Sequence, residues 1–107
     1  RICGGGIGCR RFSFLYPDGP APYYSVMAPS SHEKNIDHYQ ALSKVASDTL
    51  IEFGATITHH HSVGRSFRPW YDKEIDPGFI RMMKASKREV DPNWVLNPGI
   101  LFDKPNA

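Results

Sequence analysis

The chain has 107 residues, 40% of them hydrophobic and 22% charged, and a formal net charge of +2. That composition excludes a disordered or collagen-like chain and suits one globular domain, or a piece of one, with a modest core. The near-neutral charge leaves no nucleic-acid footprint, and no apolar run approaches a membrane span.

The chain opens at Arg1 and enters Gly4-Gly5-Gly6-Ile7-Gly8. A phosphate-binding loop needs a strand before the glycines and a Lys-Ser/Thr ending, and both are missing, so nucleotide binding here is set aside. The expectation is a fragment whose natural start lies upstream. Cys3 and Cys9 have no second pair with which to build a zinc site and read as free thiols.

Arg11-Phe12-Ser13-Phe14-Leu15-Tyr16 alternates and meets the turn Pro17-Asp18-Gly19-Pro20, after which Pro22 to Ala28 resumes as a second strand beginning at Pro22. Strands near 10–16 and 22–28 are expected to pair as an antiparallel hairpin. Tyr23 and Tyr24 then face opposite sides, one in the core. Ser30 and Glu33 suggest a capping box for a helix whose apolar residues Ile36, Tyr39, Leu42, Val45, Leu50 and Phe53 recur at helical spacing, stopped by Gly54. His32 and His38 read as surface residues without a role.

Thr56-Ile57-Thr58, rich in β-branched residues, predicts a third strand that carries His59-His60-His61 into the same sheet, with His59 and His61 on one face and His60 on the other. Residues 64–73, with Trp70 and Tyr71 as packing residues, read as irregular. Asp76-Pro77 predicts a helix N-cap with proline at the first position, and Phe79, Ile80, Met83, Lys87 and Val90 mark its inner face. Arg81, Lys84, Lys87 and Arg88 read as a solvated helix face. Asp91-Pro92-Asn93 stops this helix, and Asn97-Pro98-Gly99 turns the apolar tail. The fold class expected is α+β, an antiparallel sheet with two helices packed on one face.

Three adjacent imidazoles are poor core material, because each carries a nitrogen pair that needs partners when buried. Imidazoles serve acid–base catalysis near neutral pH, and with Arg65 and Arg68 they could bind anionic substrate groups. A metal site would need further ligands such as Asp72 or Glu74, at spacings that match no zinc pattern, so no metal is assigned.

Thr58-His59-His60-His61-Ser62-Val63-Gly64, Arg68-Pro69-Trp70, Glu74, Asp91-Pro92 and Leu96-Asn97-Pro98-Gly99 stand in an order and spacing that resemble the C-terminal part of FAD-linked oxidases of the vanillyl-alcohol-oxidase-like superfamily. Within it the triple histidine is most similar to the alkyldihydroxyacetonephosphate synthases and their bacterial relatives. Tyr16-Pro17-Asp18-Gly19 leading to Pro22-Tyr23-Tyr24 resembles the segment before that group's active-site tyrosine, which falls on Tyr23. Ser62 departs from the glycine common after the third histidine.

The resemblance implies that residues 1–107 are the C-terminal segment of a substrate-binding cap, with FAD held mainly by a domain absent from this chain, so that the isolated chain neither retains FAD nor turns over. It implies catalytic roles for Tyr23, His59, His60 and His61, substrate binding by Arg65 and Arg68, and cofactor contacts from His61 and Asn97. The implied reaction is exchange of the acyl group of acyl-dihydroxyacetone phosphate for a fatty alcohol, in ether-lipid synthesis. The alternatives are an FAD-dependent 2-hydroxy-acid or alcohol oxidase or dehydrogenase, and a non-catalytic α+β binding or metal-binding module. The partners expected are a small-molecule or lipid-like substrate and the flavin domain, with no nucleic acid; peripheral membrane contact and a homodimer are compatible. The location expected is cytoplasmic for a bacterial protein or peroxisomal for a eukaryotic one, and not secreted.

Overall fold

The computed structural model describes residues 4–104, so Cys3 lies outside the described residues. Cys9 is an exposed free thiol. The elements in order are β1 (Ile7–Tyr16), β2 (Gly19–Met27), a 3-10 turn (His32–Lys34), α1 (Asn35–Glu52), α2 (Arg68–Glu74) and α3 (Pro77–Val90). An antiparallel sheet and three α-helices make the class α+β, as expected. The chain divides into two compact units, 1–44 and 45–107. Among the described residues no helix is long and apolar enough to cross a membrane.

The first unit is built on the hairpin. Pro17-Asp18 connects Tyr16 to its partner Gly19, whose φ of +130° lies in a region that glycine tolerates. Pairing runs from Ile7–Met27 to Tyr16–Gly19, with a register shift between Phe12 and Phe14. Ladder partners share a face, so Cys9, Arg11, Tyr23 and Ser25 lie on one side and Arg10, Phe12, Pro22 and Tyr24 on the other. Ser13 is the extra residue of the bulge. It changes the phase of β1 so that Phe14, opposite Ala21, and Tyr16 join the Arg11–Tyr23 face. The Phe14 and Tyr16 rings lie 6.4 Å apart and nearly parallel. Pro22 is inside β2 rather than at its start, a position that a two-stranded sheet permits because both strands are edges. The core position expected for one of Tyr23 and Tyr24 is not found, since both are exposed.

The capping box does not form. Ser31 is the cap residue of the 3-10 turn, without a side-chain cap bond, and the Ser30 hydroxyl instead pairs with His38 Nδ1 at 2.8 Å. The C-terminus of α1 follows expectation. Gly54, at φ +70°, donates to the Ile51 carbonyl and Ala55 donates to that of Leu50, the paired bonds of a Schellman motif. The apolar stripe of α1 is only partly used, because Ile36, Tyr39 and Val45 are exposed, as is Phe53 just past its end, and its buried residue is Ser47.

The second unit holds the core. Ile57, Trp94 and Phe102 are its buried apolar residues, and Trp94 meets Phe102 edge-on with centroids 5.9 Å apart. α3 begins as predicted: Asp76 accepts from the Phe79 N–H at 2.9 Å, and Pro77 occupies the first turn, where no donor is needed. Its inner face is partial, with Ile80, Met83 and Lys87 half-buried and Val90 exposed. Residues 64–73 are not irregular throughout, because Arg68–Glu74 forms α2.

Candidate functional site

The histidine segment is not a strand and belongs to no sheet; residues 55–62 form bends and irregular chain. Two physical causes override the local β propensity. The Ile57 N–H, which a strand would give to a neighbouring carbonyl, donates to Glu74 Oε2 at 2.9 Å. His60 (φ +65°) and Ser62 (φ +61°) have left-handed backbone, which a strand cannot accommodate. Strand alternation therefore does not apply. Instead of facing opposite sides, His59 and His60 stack, with ring centroids 3.9 Å apart at an interplanar angle of 28°. Thr58 Oγ1 reaches the Ser62 carbonyl at 3.5 Å, a weak closure of the turn. All three histidines are exposed.

Left-handed backbone at two non-glycine residues costs roughly 1–2 kcal/mol each, so the turn persists because its surroundings hold it. α2 supplies most of that support. Besides the Glu74 anchor, Trp70 Nε1 donates to Asp48 Oδ1 at 2.7 Å, tying α2 to the last turns of α1. Arg68 Nε donates to Asp72 at 2.6 Å, and its Nη2 donates to Asp103 at 3.1 Å. Partial burial works against the Arg68 charge, but the two carboxylates outweigh it and the pKa is raised. Arg65 Nη2 donates to the Pro98 carbonyl at 3.2 Å, which links the residues before α2 to the Asn97-Pro98-Gly99 turn. Asn97 has φ +46°, and its carbonyl accepts from the Ile100 N–H at 3.4 Å. With Lys87, Met83 and Phe102, Asn97 lines an open, mainly apolar cleft of about 320 Å³.

Asp91 fixes the segment before Asn97. Its carboxylate accepts from Lys87 Nζ and from the N–H groups of Val95 and Leu96, each at 3.0 Å. Lys87 also donates to the Leu96 carbonyl at 2.6 Å. The Lys87 hydrogen bond first, then that of Val95, hold the Asp91 carboxyl at about 2.

Tyr23 lies in the other unit, at the middle of β2, 39% exposed. The Arg11 guanidinium carbon sits 4.3 Å from its ring centroid. The structure thus brings together His59 with His60, Arg68 with Asp72 and Asp103, and Arg65 with the turn of Asn97. Sequence reasoning missed Asp48 and Arg11 and gave Glu74 and Asp91 no supporting role. The Arg68–Asp72 spacing of four residues, with Pro69 between them, was the one signal for α2.

Residues 5–101 match the family model described as FAD linked oxidases, C-terminal domain. The chain belongs to this family. It is 27% identical over 90 residues to an alkyldihydroxyacetonephosphate synthase of Dictyostelium discoideum, covering 84% of this chain and 15% of that protein. To the synthase of Trypanosoma brucei brucei it is 25% identical over 99 residues, covering 92% of this chain and 16% of the relative. A glycolate oxidase subunit of Bacillus subtilis is 43% identical over 57 residues, 53% of this chain and 12% of that protein. The chain therefore spans about one-sixth of the length of the synthases it matches. No solved structure matches. The cofactor of the family is FAD, and its members are FAD-dependent enzymes.

Proposed function

We propose that residues 1–107 form the C-terminal segment of the substrate-binding cap of an FAD-dependent enzyme of the alkyldihydroxyacetonephosphate synthase type, whose flavin domain lies outside this chain. The carrying observation is the histidine turn, a stacked and exposed imidazole pair on left-handed backbone anchored through Glu74. Strained backbone clusters at functional sites, and exposed imidazoles can reach a substrate proton, so the turn supports a proton-handling role. The donor set suits a flavin ring edge: imidazole and amide groups can donate to its carbonyls and ring nitrogens, and His61 and Asn97 are exposed at the turns that would contact it. When bound, FAD supplies the electron-accepting and covalent chemistry that no side chain here can perform. In this reading Tyr23 of the first unit binds a substrate oxygen through its phenol, and the histidines of the second unit move protons at their imidazole nitrogens. In the exchange, the ester carboxylate leaves as a fatty acid and the ether C–O bond forms to the incoming alcohol, whose hydroxyl proton must be taken up by such a base.

A second reading, a 2-hydroxy-acid oxidase or dehydrogenase, draws on the 43% identity to the glycolate oxidase subunit. The two separate in one experiment on the full-length flavoprotein. The synthase reading expects ether product and free fatty acid from acyl-dihydroxyacetone phosphate and fatty alcohol, without consumption of an electron acceptor. Oxo-acid formation from a 2-hydroxy acid with reduction of an acceptor, and no ether product, would replace it. A lipid-like substrate agrees with peripheral membrane contact, and a homodimer and a cytoplasmic or peroxisomal location belong to the same reading.

A further inference from the structure

The two arginines expected to bind a substrate anion are already engaged. Arg68 faces two carboxylates, Asp72 and Asp103, so that the trio carries a net negative charge and repels an incoming anion. Arg65 spends its Nη2 on the Pro98 carbonyl. Arg11 is placed differently. It is the ladder partner of Tyr23 and lies over that ring at 4.3 Å, both side chains exposed. Among the described residues no hydrogen bond or ion pair engages the Arg11 guanidinium beyond this ring contact, so its donor fork is able to grip an oxyanion in two-point fashion. Arg10 sits on the opposite side of the sheet, near Phe12, and cannot substitute for it. The bulge at Ser13 adds Phe14 and Tyr16 to the Arg11 face, so the cation stands beside aromatic surface able to take the apolar part of the same ligand.

We propose that Arg11, stacked on Tyr23, is the residue that binds the anionic group of the substrate, a carboxylate or phosphate, and places it beside the Tyr23 hydroxyl. This assignment rests on the reading of Tyr23 as a substrate-facing residue. The charge and the guanidinium fork are both required for the grip, so Arg11→Gln loses both and Arg11→Lys retains only the charge.

The test uses the full-length protein with isotope-labelled arginine and tyrosine. Inorganic phosphate and acetate are titrated separately while the Arg11 side-chain and Tyr23 ring resonances are followed. At least one anion should shift both resonances saturably, the tighter of the two identifying phosphate or carboxylate as the group bound, and Arg11→Gln should abolish the response. In turnover with an anionic substrate, Arg11→Gln should raise KM by about 10- to 100-fold, the size of lost hydrogen bonds to a charged group, with kcat changed far less and Arg11→Lys intermediate. Failure of both anions to shift Arg11, or an unchanged KM in Arg11→Gln, overturns the assignment. Failure of the synthase reading would appear separately, as ether product absent in the unsubstituted enzyme while anion binding at Arg11 persists.

Discussion

Glu74→Ala should loosen the histidine turn far more than it disturbs the rest of its unit. Ile57 is only 6% exposed, and its N–H donates to Glu74 Oε2 at 2.9 Å, so truncation leaves a buried donor without an acceptor. An unsatisfied buried N–H costs about 1–3 kcal/mol. If that cost falls on local opening of residues 55–62, amide exchange at Ile57 should accelerate by about 5- to 150-fold, since 1.4 kcal/mol is a factor of ten. The Trp94 amide, which donates to the Asp91 carbonyl at 3.0 Å away from this contact, should keep its rate. Glu74→Gln retains an acceptor oxygen and should fall at the low end of the range. Site-resolved hydrogen exchange on the full-length protein reads all of these. Exchange at Ile57 within a factor of two of the unsubstituted protein would refute the anchor. Equal acceleration at Trp94 would show that Glu74 supports the whole unit instead.

Two further outcomes follow from the same geometry. Ser62→Gly should raise stability by about 0.5–1 kcal/mol, because relief of left-handed strain of roughly 1–2 kcal/mol exceeds the extra entropy that glycine loses on folding; chemical denaturation measures it, and a loss of stability would contradict the strain. Asp91 has its folded-state pKa depressed from 3.8 to about 2, so its contribution is complete above the higher value and lost as pH falls through the lower one. Unfolding midpoints should therefore decline between those pH values, and Asp91→Asn should flatten that decline.

What was legible in the sequence was mostly local. Pro17-Asp18-Gly19 announced the hairpin, Asp76-Pro77 the start of α3, and Gly54 the end of α1, because each acts on backbone within a few residues of itself. The strand assigned to the histidines failed because alternation presupposes a ladder partner, and the Ile57 N–H is taken by a carboxylate 17 residues away. No propensity encodes that contact. α2 escaped notice because it has only seven residues and its cap residue, Phe67, makes no side-chain cap bond. Ser30 and Glu33 had the spacing of a capping box, yet the Ser30 hydroxyl found the His38 ring instead. Among the candidate site residues, the histidines were legible by their identity. The commitments of Arg65 and Arg68, and the stacking of Arg11 on Tyr23, depend on register and on distant carboxylates that only the structure supplies.

The central claim, that the histidine turn handles protons for flavin chemistry, is tested most directly by turnover per flavin-loaded molecule in His59→Ala, His60→Ala and His61→Ala of the full-length enzyme. At least one should fall by about 10²–10⁴-fold, the usual size of a lost general acid or base, with flavin content and unfolding midpoint retained. Unchanged turnover in all three would contradict it.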